Sequence, residues 1–471
     1  MTRRRLLLVA LLAAVTCAGG LTPVAASSTA TATTVGFTFV PPVISIAPGD
    51  SLQLTNSDLV PHNLHSAPDG SLFHSPDVAP GTTAPVADVE SLPAGQYPFY
   101  CTIHPWMQGV LDVGTLPGLP TLPPVVLPDT GALPVGGAVV TPTSLVAHDG
   151  SMYVASYATG VVSQMSILPG GLLGPPTPYA SGFTNPLGIT FDPADGTLFV
   201  ADSHPSATPG RTTDGRVWAV DPGGATKAVV IDGLPNGRHN TNGMEVHGAR
   251  LFIANGNSTD NGGPDSPGGP GDVPDRSGAL LSVPVDARGL TSVSPEVVVE
   301  ATGMRNVYDV AFRPGTDEAW MTMNGPDTFD PFGEDLLLKA DVAGAAPDFG
   351  FPGCIYGRDG QGAVTAIDND QIDRSCGTHQ TPEQLLGLHV SADGLVFHGG
   401  YIYIAEFGNF FGNEVVGHRV VRVPVGSDGV SGPPQDVIVG AAPLDVTATD
   451  DGVYIADFAT GQITLLRTSL L

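Results

Sequence analysis

The sequence is poor in charge, in lysine and in cysteine. Only 14% of its 471 residues are charged, and its lysines are Lys227 and Lys339 alone. Acidic residues outnumber basic ones by 46 to 18, for a formal net charge of −28. So few cations argue against a nucleic acid or an anionic membrane surface as a partner. No stretch predicts a long helix; at most Pro382-Glu-Gln-Leu-Leu386 suggests a single turn. The one early apolar run, residues 6–14, is too short to span a membrane.

What is abundant is glycine and proline, 61 and 45 residues, beside 42% hydrophobic residues. That composition is turn-rich and all-β, and the length suits two domains. The basic start Thr2-Arg-Arg-Arg5, the apolar run and Val24-Ala-Ala26 read as an export leader covering residues 1–26. It fits a general secretory signal or, through its arginines, a twin-arginine one, and places the chain outside the cytoplasm. Cys17 falls within this leader. Cys354 and Cys376 then form the pair expected to bridge in an oxidising compartment, closing a loop worth about 3 kcal/mol.

The most informative stretch is Cys101-Thr-Ile-His104-Pro-Trp-Met107. Thiolate and imidazole suit the soft-to-borderline character of copper, and a thioether suits a long axial position. A second imidazole is needed, and His62 is the candidate. Alternating residues before the loop (97–100) and after it (109–113) read as two strands. This set, His62, Cys101, His104 and Met107, resembles the type 1 copper site of cupredoxins of the amicyanin and plastocyanin kind. The resemblance covers residues 36–114 and implies a Greek-key β-sandwich. It also implies that Asn63 hydrogen-bonds the loop at Thr102, fixing the ligands from outside.

Residues 115–135, dense in Pro and Gly, read as a semi-rigid linker. From 136 onward a unit recurs: a strand, a turn, an apolar strand carrying an aromatic, a loop and further strands. The aromatics are Tyr153, Phe199, Phe252, Trp320, Tyr403 and Tyr454. Six such repeats predict a six-bladed β-propeller over 136–471, because one blade cannot bury both of its faces.

Three segments resemble the quinoprotein sugar dehydrogenases of the soluble glucose and sorbosone dehydrogenase type. They are Gly237-Arg-His239-Asn, Ala301-Thr-Gly303-Met-Arg305-Asn306 and Asp348-Phe-Gly350-Phe-Pro352. The resemblance implies pyrroloquinoline quinone (PQQ) over the propeller axis, often with calcium. It implies His239 as the base for a substrate hydroxyl, and Arg305 and Asn306 as quinone contacts. That family's arginines near the last blade have no match, since the segment here reads Ala441-Ala-Pro-Leu-Asp445. The Asp- and Asn-rich stretch from Asn255 to Asp275 offers the oxygen ligands that calcium takes.

Three functions are compatible with these features. The first is a secreted dehydrogenase that oxidises a sugar or other alcohol and passes electrons to the attached copper, and from there to a redox partner protein. The second is a copper domain fused to a non-catalytic ligand-binding propeller. The third is a propeller lactonase, which needs a carboxylate-rich metal centre on the axis.

Overall fold

The computed structural model describes residues 28–468, apart from 36–37, 41–42, 58–60, 68–69, 104–106, 115–131, 136–137, 204–213, 265–275, 330–331, 360 and 410–415. The expected leader therefore lies outside the described residues. So do His104 and most of the expected linker.

The chain is all-β: a two-sheet sandwich followed by a six-bladed propeller. In the sandwich, one sheet runs Thr38–Val40, Thr29–Val35, Ser51–Asn56, Thr83–Val86. The other runs Val43–Ile46, Gln108–Val113, Gly95–Tyr100, His65–Ser66. Each sheet contains one parallel pair, Thr29–Val35 with Ser51–Asn56 and Val43–Ile46 with Gln108–Val113. Alternation puts Leu52, Leu54, Leu111 and Val113 inside, around Phe39 and Phe99 packed edge to face at 5.0 Å. The sandwich begins earlier than the expected residue 36. The strand Thr29–Val35 pairs with Ser51–Asn56 throughout and buries Ala32. Its Thr-Ala alternation is too weakly apolar to stand out in the sequence.

The six blades each pair three or four consecutive strands, and their first strands touch one another in a closed ring. Every one of the six aromatics sits in its blade's second strand and is buried. These strands are covered by neighbouring blades on both faces, which is why they read Phe-Val-Ala or Tyr-Ile-Ala rather than alternating. Burying such a ring stabilises by about 1.5–3 kcal/mol.

Two corrections follow from the pairing. Residues 132–134, expected in the linker, form a strand against Ile463–Leu466, with Leu133 opposite Leu465. The last blade is thus closed by the start of the propeller, and the proline at 134 is tolerated because that strand is an edge. Of residues 382–386, where a helical turn was conceivable, the last three open the strand Gln384–Leu388, the outer strand of the fourth blade, against Glu334–Asp341. Among the described residues the one helical segment is the 3-10 turn Val89–Ser91.

Each first strand carries a bulge near its start, at one end of the axis. Bulges re-aim side chains, and here they do so around the axis mouth. Just inside, side chains bridge neighbouring blades. Asp309 accepts from the Leu395 N–H at 3.0 Å, Asp445 from Leu145 at 2.8 Å and Glu245 from Phe312 at 2.7 Å.

Candidate functional site

The candidate ligand loop joins two strands paired from Gly95–Val113 to Tyr100–Gln108. The Cys101 N–H donates to the Met107 carbonyl at 2.9 Å and closes the loop on itself. Cys101, Met107 and His62 are buried together. His62 Nδ1 stands 3.9 Å from Cys101 Sγ. Two donors bonded to one first-row ion at about 2.0 and 2.3 Å can stand no further apart than about 4.3 Å, so this separation is compatible with a single shared metal. The Asn63 N–H points at the same sulfur at 3.4 Å, as suits a thiolate. Asn63 also donates from Nδ2 to Thr102 Oγ1 and accepts from the Thr102 N–H, both at 2.7 Å. This donor set fits a copper ion, with the fourth expected ligand, His104, outside the described residues.

The second constellation lies at the bulged end of the propeller. His239 precedes the first strand of the third blade, and Arg305 precedes that of the fourth. They come together through Gly256 and Asn257. The Asn257 N–H donates to the Arg305 carbonyl at 2.8 Å. A Cβ on Gly256 would stand 2.7 Å from both the His239 Cβ and Asn306 Oδ1, so only glycine lets these two approach. His239, Arg305 and Asn306 therefore share one site.

The His239 ring has a defined tautomer. Its Nδ1 faces Asn257 Oδ1 at 2.6 Å and the Asn257 carbonyl at 3.1 Å, both acceptors, so Nδ1 carries the proton. Nε2 then holds the basic lone pair. Burial pushes the imidazole well below the usual histidine value, and the Arg305 charge adds to this. The ring is a neutral, oriented base.

Arg305 is engaged differently from what the quinone resemblance implies. Its side chain is 4% exposed, and Nη2 bonds Asp260 Oδ1 at 2.6 Å. Nε donates to the Asp260 carbonyl and Nη1 to that of Asn324. Arg238, beside His239, bonds Asp327. Burial works to raise the Asp260 carboxyl, but Arg305 and Arg238 outweigh it and hold it below the ordinary value. Both arginines are thus matched by carboxylates. Asn306 donates to Asn324 Oδ1 at 2.6 Å and accepts from Asn242 at 3.0 Å.

Asn257, Asp260, Asn324 and Gly256 were not among the expected site residues. Asp260 stood in the stretch considered for calcium, but its carboxylate is turned to the arginines; Asp265, Asp272 and Asp275 lie outside the described residues. Behind Asp260 is an insertion closed by the Cys354–Cys376 disulfide. It reaches the site through Asn369 Nδ2, which donates to the Asn261 carbonyl at 2.8 Å, and Gln371, which donates to that of Thr328 at 2.9 Å. His379 lies beside both sulfurs. In a disulfide neither is a thiolate, so no metal is held there. Among the described residues no other group of three or more His, Cys, Asp or Glu donors converges as a metal cage. The axial carboxylates that a lactonase needs do not do so.

No protein-family model and no curated protein matches the chain. Among solved structures, it is similar to a Trichoderma reesei carbohydrate-active enzyme of family AA12, at 16% identity over 74% of this chain and 99% of that one, with a TM-score of 0.61. It is also similar to the PQQ domain of pyranose dehydrogenase from Coprinopsis cinerea, at 15% identity over 71% and 94%, with a TM-score of 0.57. A mutant of amicyanin matches 18% of the chain and 80% of its own length at 20% identity, but with a TM-score of 0.16. The copper reading accordingly stands on its own residues. What the first two likenesses show is the fold alone: an all-β propeller of the architecture found in those two proteins.

Proposed function

We propose that the chain is an exported oxidoreductase, in which the propeller oxidises a sugar or other alcohol and a type 1 copper domain removes the electrons one at a time. The observation that carries this reading is His239: a buried, neutral imidazole with its tautomer fixed, next to an arginine and two asparagines, at one end of a propeller axis. That is the equipment for taking a proton from a substrate hydroxyl. Asn306 would orient the oxygen being deprotonated, while Asn257 keeps the Nδ1 proton in place.

The neutral base and the amide donors fit the reacting end of a quinone of the PQQ kind. When bound, such a group accepts the hydride from the substrate carbon. Its carboxylates find less to bind, since Arg305 and Arg238 already face Asp260 and Asp327. On the copper side, His62, Cys101 and Met107, with His104, would hold the ion, and Asn63 would steady the thiolate. We assign residues 1–26 to a leader, 29–114 to the copper domain and 132–468 to the propeller.

The test is direct. Copper-loaded protein supplied with PQQ should reduce an artificial dye in the presence of some member of a sugar and alcohol panel. His239→Ala should remove nearly all of that turnover while the blue colour persists. A second reading, a sugar-binding propeller without redox chemistry, is favoured by the carboxylate-matched arginines. It would be upheld by sugar binding with no dye reduction at any quinone concentration.

A further inference from the structure

The Cys354–Cys376 bridge has a third group against it. His379 Nδ1 stands 3.2 Å from Cys354 Sγ and 3.4 Å from Cys376 Sγ. The two sulfurs and a ring nitrogen of His379 all lie within 4.8 Å of one another, and among the described residues no other three His, Cys, Asp or Glu donors come so close.

Several contacts hold this trio. Only Gly377 and Thr378 separate Cys376 from His379, a spacing at which one turn can turn both side chains toward one point. The Cys376 N–H donates to Asp368 Oδ1 at 2.7 Å, and the His379 ring packs edge to face on Tyr356 at 5.4 Å. Cys354 opens the strand Cys354–Arg358, which pairs with Val364–Asp368. Gly350 leaves room beside the buried sulfur. A Cβ there would stand 2.6 Å from Cys354 Sγ and 3.1 Å from the His379 Cβ.

As a disulfide the sulfurs are not ligands, but reduction makes them so. A dithiol that attacks the bridge becomes a disulfide itself and leaves Cys354 and Cys376 as two thiols. On a tetrahedral ion, thiolates bound at about 2.3 Å stand about 3.8 Å apart, and each stands about 3.6 Å from an imidazole nitrogen bound at about 2.0 Å. His379 Nδ1 is already near that separation from both sulfurs, so only the sulfurs have to part. Cys354 is buried while Cys376 and His379 are half-buried, which shields an ion on one side and lets it enter from the other.

We infer that in the reduced protein Cys354, Cys376 and His379 form a site for one soft or borderline closed-shell ion, Zn(II) or Cu(I), with water in any remaining position. Binding releases the two thiol protons. The imidazole proton moves to Nε2 from Nδ1, where the Gly377 carbonyl at 2.7 Å accepts it. The site stands apart from Cys101 and holds whichever reaction the propeller performs. The insertion is then fastened in either redox state, by the S–S bond or by the ion. So are the contacts of Asn369 and Gln371 with Asn261 and Thr328 beside Asp260.

Copper-loaded full-length protein is reduced with a phosphine and offered Zn(II) in one sample and Cu(I) in another. Alkylation of each cysteine is then mapped by peptide mass, which reads Cys354 and Cys376 separately from Cys101. At least one of the two ions should protect Cys354 and Cys376 together, and the sample it protects in names the ion. The disulfide form should bind neither ion at this place. His379→Ala should weaken binding by about 10²-fold, the gain from tethering a third donor beside two. Cys376→Ser should abolish it, and Tm reports that each form is folded. Thiols that both ions leave open to alkylation would overturn the site, as would protection of only one of the two. So would unchanged affinity in His379→Ala, or a bridge that the phosphine cannot open in the folded protein.

Discussion

Arg305 and Asp260 form a buried ion pair at the mouth of the propeller, 2.6 Å between Nη2 and Oδ1. Around it the site is built as a neutral polar surface. An arginine there would ordinarily draw an anion, but this one has its carboxylate supplied by the chain. Asp260 is itself placed by the Thr328 hydroxyl at 3.1 Å and the Asp327 N–H at 3.2 Å.

Removing the charge of Asp260 should therefore be costly. Asp260→Asn leaves the buried guanidinium with only the more distant Asp327 carboxylate, 3.6 Å from Nη2, and should cost up to about 3 kcal/mol. The sign with pH is fixed. The folded carboxyl lies below its unfolded value, so its stabilisation is present above about pH 4, the ordinary carboxylate range, and fades as pH falls through the folded value. The gap in stability between wild type and Asp260→Asn, measured by urea unfolding, should narrow at acid pH. A gap that stays constant to pH 2.5 would refute the ion pair.

Glu245 predicts the opposite trend. Burial raises its carboxyl to about 7, while the Phe312 N–H at 2.7 Å works to lower it. A raised folded value means that its relative stabilisation is full below about pH 4 and is lost as pH rises through 7. Glu245→Gln can keep an acceptor for Phe312 without the charge. It should melt above wild type at pH 8 and close to it at pH 5. Equal melting at both values would show that this carboxylate is solvated after all.

The proposed copper site should respond at two levels. Cys101→Ser should abolish the intense blue band, since a hydroxyl is a poor soft donor, whereas Met107→Leu should keep a blue site at a shifted potential. Asn63→Ala removes both 2.7 Å bonds to Thr102 yet touches no ligand side chain. Copper affinity should fall about 10–100-fold with the colour retained, as is usual for partners that orient a metal ligand. Competition with a chelator would read this out, and unchanged affinity would count against the orienting role.

These outcomes show what the sequence made legible. The six blade aromatics could be read directly, because the second strand of every blade is enclosed on both faces and must be apolar throughout. Asn63 and Thr102 were legible through the cupredoxin resemblance, and their mutual bonds are present. The strand Thr29–Val35 was not, because its inward residues are two alanines and Thr34, with no large apolar side chain among them. Nor was the closing strand at 132–134, which has only three residues and derives its register from the far end of the chain. In the site, His239, Arg305 and Asn306 do meet. What the linear sequence hid was Asp260, whose role depends on a contact across 45 positions. Asx- and glycine-rich loops look alike whether solvated or turned inward, so composition did not reveal that Asp260 is turned to the arginines.

The last expectation concerns the acid limb of turnover. If His239 is the base, the enzyme needs its imidazole unprotonated. Burial and then Arg305 hold it well below the ordinary histidine value, against the opposing hydrogen bond to Asn257. The neutral, active form should therefore persist well below pH 6.5. With PQQ and a sugar that binds, kcat/KM should stay flat from pH 8 to below 6 and fall only in more acidic buffer. Asn257→Ala deletes the Oδ1 acceptor but leaves the main-chain carbonyl at 3.1 Å. It should reduce kcat by roughly 10–100-fold, by loosening the ring, with a smaller change in KM. Because Asn257 sits behind the imidazole, a change in KM alone would place it in substrate binding instead. An acid limb centred at pH 6.5 or above in wild-type protein would show the imidazole to be solvated during turnover, and His239 could not then be the buried base described here.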